Sequence, residues 1–520
     1  MMKTNEIHEG LNGSQCTPHP VGICSRTVTA EMADEFTLPD YQPEIRKLHK
    51  ICTHILPPEV FVTADGQKIT ATGAVEYSVL YSDADGELCL SPISSDYTVS
   101  APVEIPSGYS VADVSDAICD AVCTTDSVSG RVLGPRKLGI RQRLRCALSA
   151  YAYGSIGCDT VSGDGIEAQL ATSPVMRISR GESEVLHLED EIVTDSGEVR
   201  IVMPQHRVFV EELSLSRGEL SVRGEVILKL LLCREAPSGE PYTAVRRIPF
   251  STTVPLSDAQ DTDEACATGY VTELELEVGQ GRIAVKTDVL VRAIAQGNTS
   301  VTYVADCFST KLVSTQRMAE YATRQALRCT NANISCGGTV TLEELGLPTE
   351  SSVIDCFADA LCTSTVLDSE RGRLVTSGEI RYSILAFTGT ETCIRDTTIP
   401  FRYECDVSGN VTVPSGSELV YEAHAEVLNT RCRIDVERLG LDSELAIALC
   451  ASLRCFVRAV SELETGAPLP EREATYTVCY PVAGDTLWSI AKRYSISPKV
   501  IVEKNPFAKD LPKETRALIF

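Results

Sequence analysis

Residues 73–81 read GAVEYSVLY, and the pattern returns as GEVILKLLL at 224–232 and as GEIRYSILA at 378–386. Counted from each glycine, the even places hold Val75, Tyr77, Val79 and Tyr81, then Val226, Leu228, Leu230 and Leu232, then Ile380, Tyr382, Ile384 and Ala386. The odd places mix Glu76, Ser78, Glu225, Lys229, Glu379, Arg381 and Ser383 with a leucine at the seventh place each time: Leu80, Leu231, Leu385. Strict alternation with β-branched and aromatic residues predicts a β-strand. Its wet face is predicted to become buried towards the end of each copy.

Two further landmarks recur, the first in two of the three copies. Ile248-Pro249-Phe250 matches Ile399-Pro400-Phe401, and LRCA at Leu144 is aligned with VRAI at Val291 and VRAV at Val457. The glycines recur at 151 and 154 residues, a period too long for a solenoid whose units cannot fold alone. The expectation is a mainly β protein with three separate sandwich-like domains at 30–155, 180–300 and 310–465, after an N-terminal extension, 1–29. Two short apolar runs, Val353 to Leu361 and Leu441 to Leu449, are predicted as helices. The linker is placed at 464–475, where ETGAPLPEREAT combines glycine, two prolines and charge.

The chain of 520 residues carries a net charge of −25, which disfavours nucleic acid and anionic membranes as partners. Residues 476–520 differ, with seven Lys or Arg against four acids, so this tail is a separate module able to meet an acidic surface. MMKTNEIHEGLNG at the N-terminus has no apolar run behind Lys3, and no stretch of about 18 apolar residues occurs. The expectation is a protein without signal peptide or membrane insertion. Its 21 cysteines show no C-x-x-C pair, the usage of a reducing compartment where thiols serve as small apolar residues.

In the tail, GDTLWSIAKRY (484–494) contains the one tryptophan of the chain. Gly484 permits a turn, Asp485 is placed as helix N-cap, and Leu487, Ile490, Ala491 and Tyr494 form a helical stripe. Trp488 falls at the rim of that stripe. Ser497-Pro498 opens a second helix and Asn505-Pro506 stops it, with strands at 476–478 and 517–520 on either side. This β-α-α-β module resembles LysM over 476–520. The resemblance implies a groove formed by Gly484, Asp485 and Thr486 with Asn505, Pro506 and Phe507, and Trp488 as a neighbouring contact. The family's usual Gly-Gln before the last strand is replaced by Glu514-Thr515-Arg516. Lys492, Arg493 and Lys499 are the candidates for electrostatic docking.

Tandem domains of this strand pattern followed by a C-terminal LysM resemble the SipL-type spore coat morphogenetic proteins, whose repeated domain is called SPOCS. That resemblance implies a mother-cell cytosolic protein that gathers at the forespore surface, docks through LysM to a coat-basement ATPase and presents its β-domains to other coat proteins. The rival reading is a binder of peptidoglycan glycan strands or N-acetylglucosamine oligomers.

Other chemistry finds little support in the residues. His49, Cys52 and His54 lie close in sequence, but neighbours of these types are expected by chance among 21 cysteines and seven histidines. His187, His206 and His424 accompany no nucleophile signature. There is no G-x-x-x-x-G-K-[ST] loop, and GRVLGPRKLG at Gly130 lacks the spacing of a dinucleotide site. The expectation is a non-enzymatic protein with no catalytic residue, no metal ligand and no cofactor.

Overall fold

The computed structural model describes residues 18–109, 114–157, 164–194, 199–234, 241–407, 416–470, 476–510 and 516–520, the side chains of 509 and 510 excepted. Each glycine-led stretch is the middle strand of an antiparallel sheet. In domain 1, β4 (Lys68–Ser82) pairs with β2 (Lys47–Ile55) and β3 (Glu59–Val62) on one edge and β5 (Leu88–Pro102) on the other. The facing sheet is β1 (His19–Thr37), β7 (Lys137–Gly154) and β6 (Ile118–Gly134), in that order.

Domain 2 repeats this with β10 (Val199–Ser216), β11 (Glu219–Arg234) and β12 (Pro241–Pro255) in one sheet. Its other sheet has β14 (Arg282–Ser309) between β13 (Glu264–Gly279) and the broken entering strand, β8 (Ile166–Glu182) with β9 (Leu186–Val193). Domain 3 has β16 (Ser352–Asp368), β17 (Arg373–Phe387) and β18 (Thr392–Asp406) facing β15 (Leu312–Thr341), β20 (Arg438–Pro468) and β19 (Glu418–Asp435). One topology thus occurs three times: the entering strand pairs with the last strand of its own domain and closes a sandwich.

The even-place residues fill the sandwich interiors. Val75, Tyr77 and Val79 meet Leu138, Ile140 and Leu144 of the opposite sheet, and Ile380, Tyr382 and Ile384 meet Leu439, Leu441 and Leu445. The tyrosines keep a partner when buried: Tyr77 Oη donates to Gln142 Oε1 at 2.6 Å, and Tyr382 Oη to Ser443 Oγ at 2.9 Å. Domain 2 has Leu228 at this place.

The leading glycine and the Ile-Pro-Phe landmark explain one another. Gly224 pairs across the strands with Phe250 and Gly378 with Phe401, while Gly73 pairs with Tyr97. Each ring lies across its glycine, where a Cβ at Gly378 would stand 2.4 Å from the Phe401 ring and 2.4 Å from the Leu361 carbonyl oxygen. An aromatic covering a strand glycine restores the burial that the missing side chain gives up. The prolines sit on β12 and β18, which are edge strands of their sheets, where proline is tolerated.

The seventh-place leucines show how the domains combine. Leu80, Leu231 and Leu385, one from each domain and each fully buried, meet in a single cluster with Met203 and Phe357. Around this axis the contacts run in one direction. The first strand of each sheet built on a glycine-led strand faces the middle and last strands of the corresponding sheet in another domain: β2 meets domain 3 through Lys50 and Ser383, β10 meets domain 1 through Arg200 and the Leu88 carbonyl, and β16 meets domain 2 through Asp355 and Lys229. A heterologous contact that closes after three steps makes a ring. The expected separate domains are therefore one cyclic body.

Several expectations are corrected. Val353–Leu361 lies in β16 and Leu441–Leu449 in β20, so neither run is helical. In the first, bulges between Val353/Asp355 and Cys362/Ser364 shift the phase of alternation and imitate helical spacing. The second alternates cleanly, and pairing on both edges overrides its helix-favouring Leu, Ala and Glu content. The third landmark was out of register. The bulge that each closing hairpin shares falls opposite Leu144, Val289 and Leu445, so these correspond, not Val291 and Val457. Period two recurs every second residue and cannot fix register along a 31-residue strand. Residues 19–29 of the supposed extension belong to β1, and 464–468 of the supposed linker end β20. Residues 471–475 and 1–17 lie outside the described residues.

The strands β14, β8, β15 and β20 run past their sandwiches and pack together as a stalk. Val175, Val301, Tyr321 and Ala459 fill one layer of it, and Val304, Cys307, Val460 and Leu463 the next.

Candidate functional site: the C-terminal module and its mount

The module is built as β21 (Val478–Cys479), α1 (Leu487–Tyr494), α2 (Pro498–Lys504), a 3₁₀ turn at Pro506–Asp510 and β22 (Leu518–Ile519), with β21 paired to β22. Its core is Cys479, Ile490, Ala491, Ile496, Ile501, Ala508, Leu518 and Phe520.

Thr486, not Asp485, caps α1. The Thr486 hydroxyl accepts from the Ser489 amide at 3.1 Å, and the Thr486 amide donates to Ser489 Oγ at 2.9 Å, a reciprocal capping box. Asp485 closes the preceding turn instead. Its carboxylate accepts from the Val482 amide at 3.0 Å and pairs with Arg493 at 2.5 Å. The Arg493 guanidinium, then the Val482 amide, hold that carboxyl below its usual range. Gly484 supplies the turn with φ 94°, a left-handed conformation open to glycine at no steric cost.

On the other side of the groove Asn505 is sealed, at 3 % exposure. Its Nδ2 donates to the carbonyls of Ile501 and Ile519 at 2.9 and 2.7 Å, and its Oδ1 accepts from the Ile519 amide at 2.9 Å. It bolts the end of α2 to β22. Gly484, Thr486 and Pro506 remain exposed, and Phe507 is half-buried with the Arg516 guanidinium 5.5 Å from its ring centroid. Glu514 and Thr515 lie outside the described residues, so only Arg516 of that replaced segment is placed.

Trp488 and Lys492 face the stalk. The Trp488 indole Nε1 donates to Asp306 Oδ2 at 2.8 Å and its ring meets Phe308 edge-on, with centroids 5.2 Å apart. The Lys492 ammonium pairs with the same carboxylate, and Phe308 is buried in the module's own core cluster. Burial pushes the Asp306 carboxyl up, but Lys492, Trp488 and Gln316 together outweigh this and hold it below the usual range. Of the three cations expected to dock a partner, Lys492 and Arg493 are thus engaged within the chain, and Lys499 is exposed. Asp306 and Phe308 were invisible to sequence reasoning, because they lie about 180 residues from Trp488 in an ordinary alternating strand.

Residues 482–511 match the family profile of the LysM domain. The match implies a module of the type that binds peptidoglycan or N-acetylglucosamine oligomers. No curated protein and no solved structure matches the chain.

Proposed function

We propose that this protein is a non-enzymatic assembly factor of a spore envelope, which acts on the mother-cell side of the forespore surface. In this reading the LysM module engages a coat-basement ATPase, and the cyclic β-body offers its edges and faces to other coat proteins. The supporting observation is the mount. Trp488 and Lys492 are spent on Asp306 and Phe308, so the module is fixed to a stalk while Gly484, Thr486 and Pro506 stay exposed. Such a mount suits a scaffold, because it holds a docking surface at a set position relative to many weak sites on one chain.

A second reading, a binder of peptidoglycan glycan strands, is favoured by the match at 482–511 and by the exposed Gly484 and Thr486. The full chain, tested beside a version ending at residue 470, separates the two. The assembly reading expects capture of the ATPase by the full chain alone and no sedimentation with purified peptidoglycan. Sedimentation that is lost with the tail, without capture of the ATPase, establishes the glycan reading instead.

A further inference from the structure

The fold gathers three thiols that lie 63 and 121 residues apart in the sequence. Cys266 comes from β13 of domain 2, and Cys329 and Cys450 are directly opposed on β15 and β20 of domain 3. Cys450 Sγ is 3.1 Å from Cys266 Sγ and 3.0 Å from Cys329 Sγ, and all three sulfurs lie within 4.8 Å of one another. All three side chains are buried. Ile294 packs on the cluster, and a cavity of about 50 Å³ adjoins Cys266 and Cys450, lined also by Arg180, Arg292 and Glu422.

Sulfurs at these separations are inside ordinary van der Waals contact, closer than a weak S–H···S hydrogen bond between neutral thiols requires. A soft cation gives three buried thiols a reason to converge, since thiolates are the preferred ligands of d¹⁰ ions. We propose that Cys266, Cys329 and Cys450 bind one Zn²⁺ ion that staples domain 2 to domain 3. Zinc–sulfur bonds of about 2.3 Å require sulfur–sulfur edges of about 3.8 Å in a tetrahedral site, so binding spreads the thiols by roughly 0.7 Å. The adjoining cavity is where Cys266 and Cys450 can move. It also has room for a water as fourth ligand. Binding releases the three thiol protons and leaves the site with one net negative charge, beside a cavity lined by Arg180 and Arg292 as well as Asp120 and Glu422. The clamp joins two domains, so the metal's binding free energy adds to the stability of their seam.

The test uses the full chain purified anaerobically with a phosphine reductant. Elemental analysis is expected to find one zinc per chain, and Co²⁺ added to metal-free protein is expected to give thiolate charge-transfer bands with the intense visible bands of a tetrahedral site. Cys450→Ser and Cys266→Ser are each expected to lower zinc affinity by at least about tenfold. Cys393→Ser, in the domain 3 interior, is expected to keep it. Because Cys450→Ser sits in a central strand and can fail to fold, Cys266→Ser carries the decision, read also as loss of the zinc-dependent rise in Tm. Reduced wild-type protein that gives no tetrahedral Co²⁺ spectrum and no zinc-dependent Tm shift overturns the proposal. So does a mapped Cys450 disulfide to Cys266 or Cys329 in protein whose reduced form binds no zinc.

Discussion

The seam between domains 2 and 3 and the seam between domains 3 and 1 use the same strands in the same roles, yet different chemistry closes them. At the fifth place after the glycine, domain 2 presents Lys229, whose ammonium lies 2.5 Å from Asp355 of domain 3 and donates to the Cys356 carbonyl at 2.8 Å. Domain 3 presents Ser383 there, which accepts from Lys50 of domain 1 at 2.8 Å. On the facing sheets, the first seam holds the three clustered thiols. The second opens into a cleft of about 660 Å³ lined by Arg26, Arg145, Arg324, Arg454, Glu104 and Glu418. Connectivity accounts for the difference. Domains 2 and 3 are joined by the two residues between β14 and β15, whereas domains 3 and 1 meet only through the closure of the ring. A ring made by repetition needs one seam with no covalent neighbour, and that seam is expected to open first.

The largest test of this asymmetry is Lys229→Ala. Lys229 and Asp355 are 11 % and 3 % exposed, so removal of the ammonium leaves a buried charge and is expected to cost about 3–5 kcal/mol in denaturant unfolding. The double variant Lys229→Met, Asp355→Leu is expected to recover most of that loss. Lys50→Ala at the other seam is expected to cost less than about 1 kcal/mol, as for one hydrogen bond at a half-buried site. Equal effects at the two seams would remove the distinction.

The symmetric part of the body provides the control. Leu80, Leu231 and Leu385 fill one cluster at equivalent places, each with no measurable exposure. Truncation to alanine is expected to destabilise by about 2–5 kcal/mol, and the three variants should agree within about 1 kcal/mol. An outlier among their unfolding curves would show that the axis is not shared equally.

How much of this was legible follows from range. The repeat, the strand faces and the double burial of the seventh-place leucines could be read, because alternation and the glycine-aromatic pairing act within a few residues or one hairpin. That Leu80, Leu231 and Leu385 touch one another could not, since the same alternation suits an isolated sandwich packed against anything. The thiol cluster left no local spacing at all. Asp485 and Asn505, expected at the groove, also tie the module together, and a polar side chain that bolts a small fold looks in sequence like one that meets a ligand.

The seam between domains 1 and 2 holds a pair of buried histidines. His54 of β2 and His206 of β10 meet edge-on with ring centroids 4.2 Å apart, and His54 Nε2 donates to the Val271 carbonyl at 2.7 Å. Burial lowers His54 to about 4, and burial with the neighbouring His54 pushes His206 well below its usual value. Both are neutral in the folded protein, so their contribution is complete above the unfolded value near 6.5 and is lost as pH falls from there towards 4. Between pH 7 and pH 5 the wild type is expected to lose about 1–2 kcal/mol more than His206→Asn does. Parallel pH profiles for the two proteins would show that the histidine pair is indifferent to this seam.

The mount of the C-terminal module carries a small expected energy and the sharpest structural consequence. Asp306→Ala deletes the carboxylate shared by Trp488 and Lys492, but Phe308 stays in contact with the indole. A partly exposed charged hydrogen bond of this kind contributes about 1 kcal/mol, so global unfolding of the body, whose cores lie elsewhere, is expected to be unchanged. What should change is the population of undocked module, by about fivefold for that energy. Hydrogen exchange in α1 and protease cleavage after residue 470 would report it. Lys492→Glu brings a second carboxylate against Asp306 and is expected to undock the module further, and Asp306→Lys in the same chain should restore the contact. If the charge-swapped pair remains as undocked as the single variants, the tail is held by Phe308 and Trp488 packing alone, and the electrostatic part of the mount is incidental.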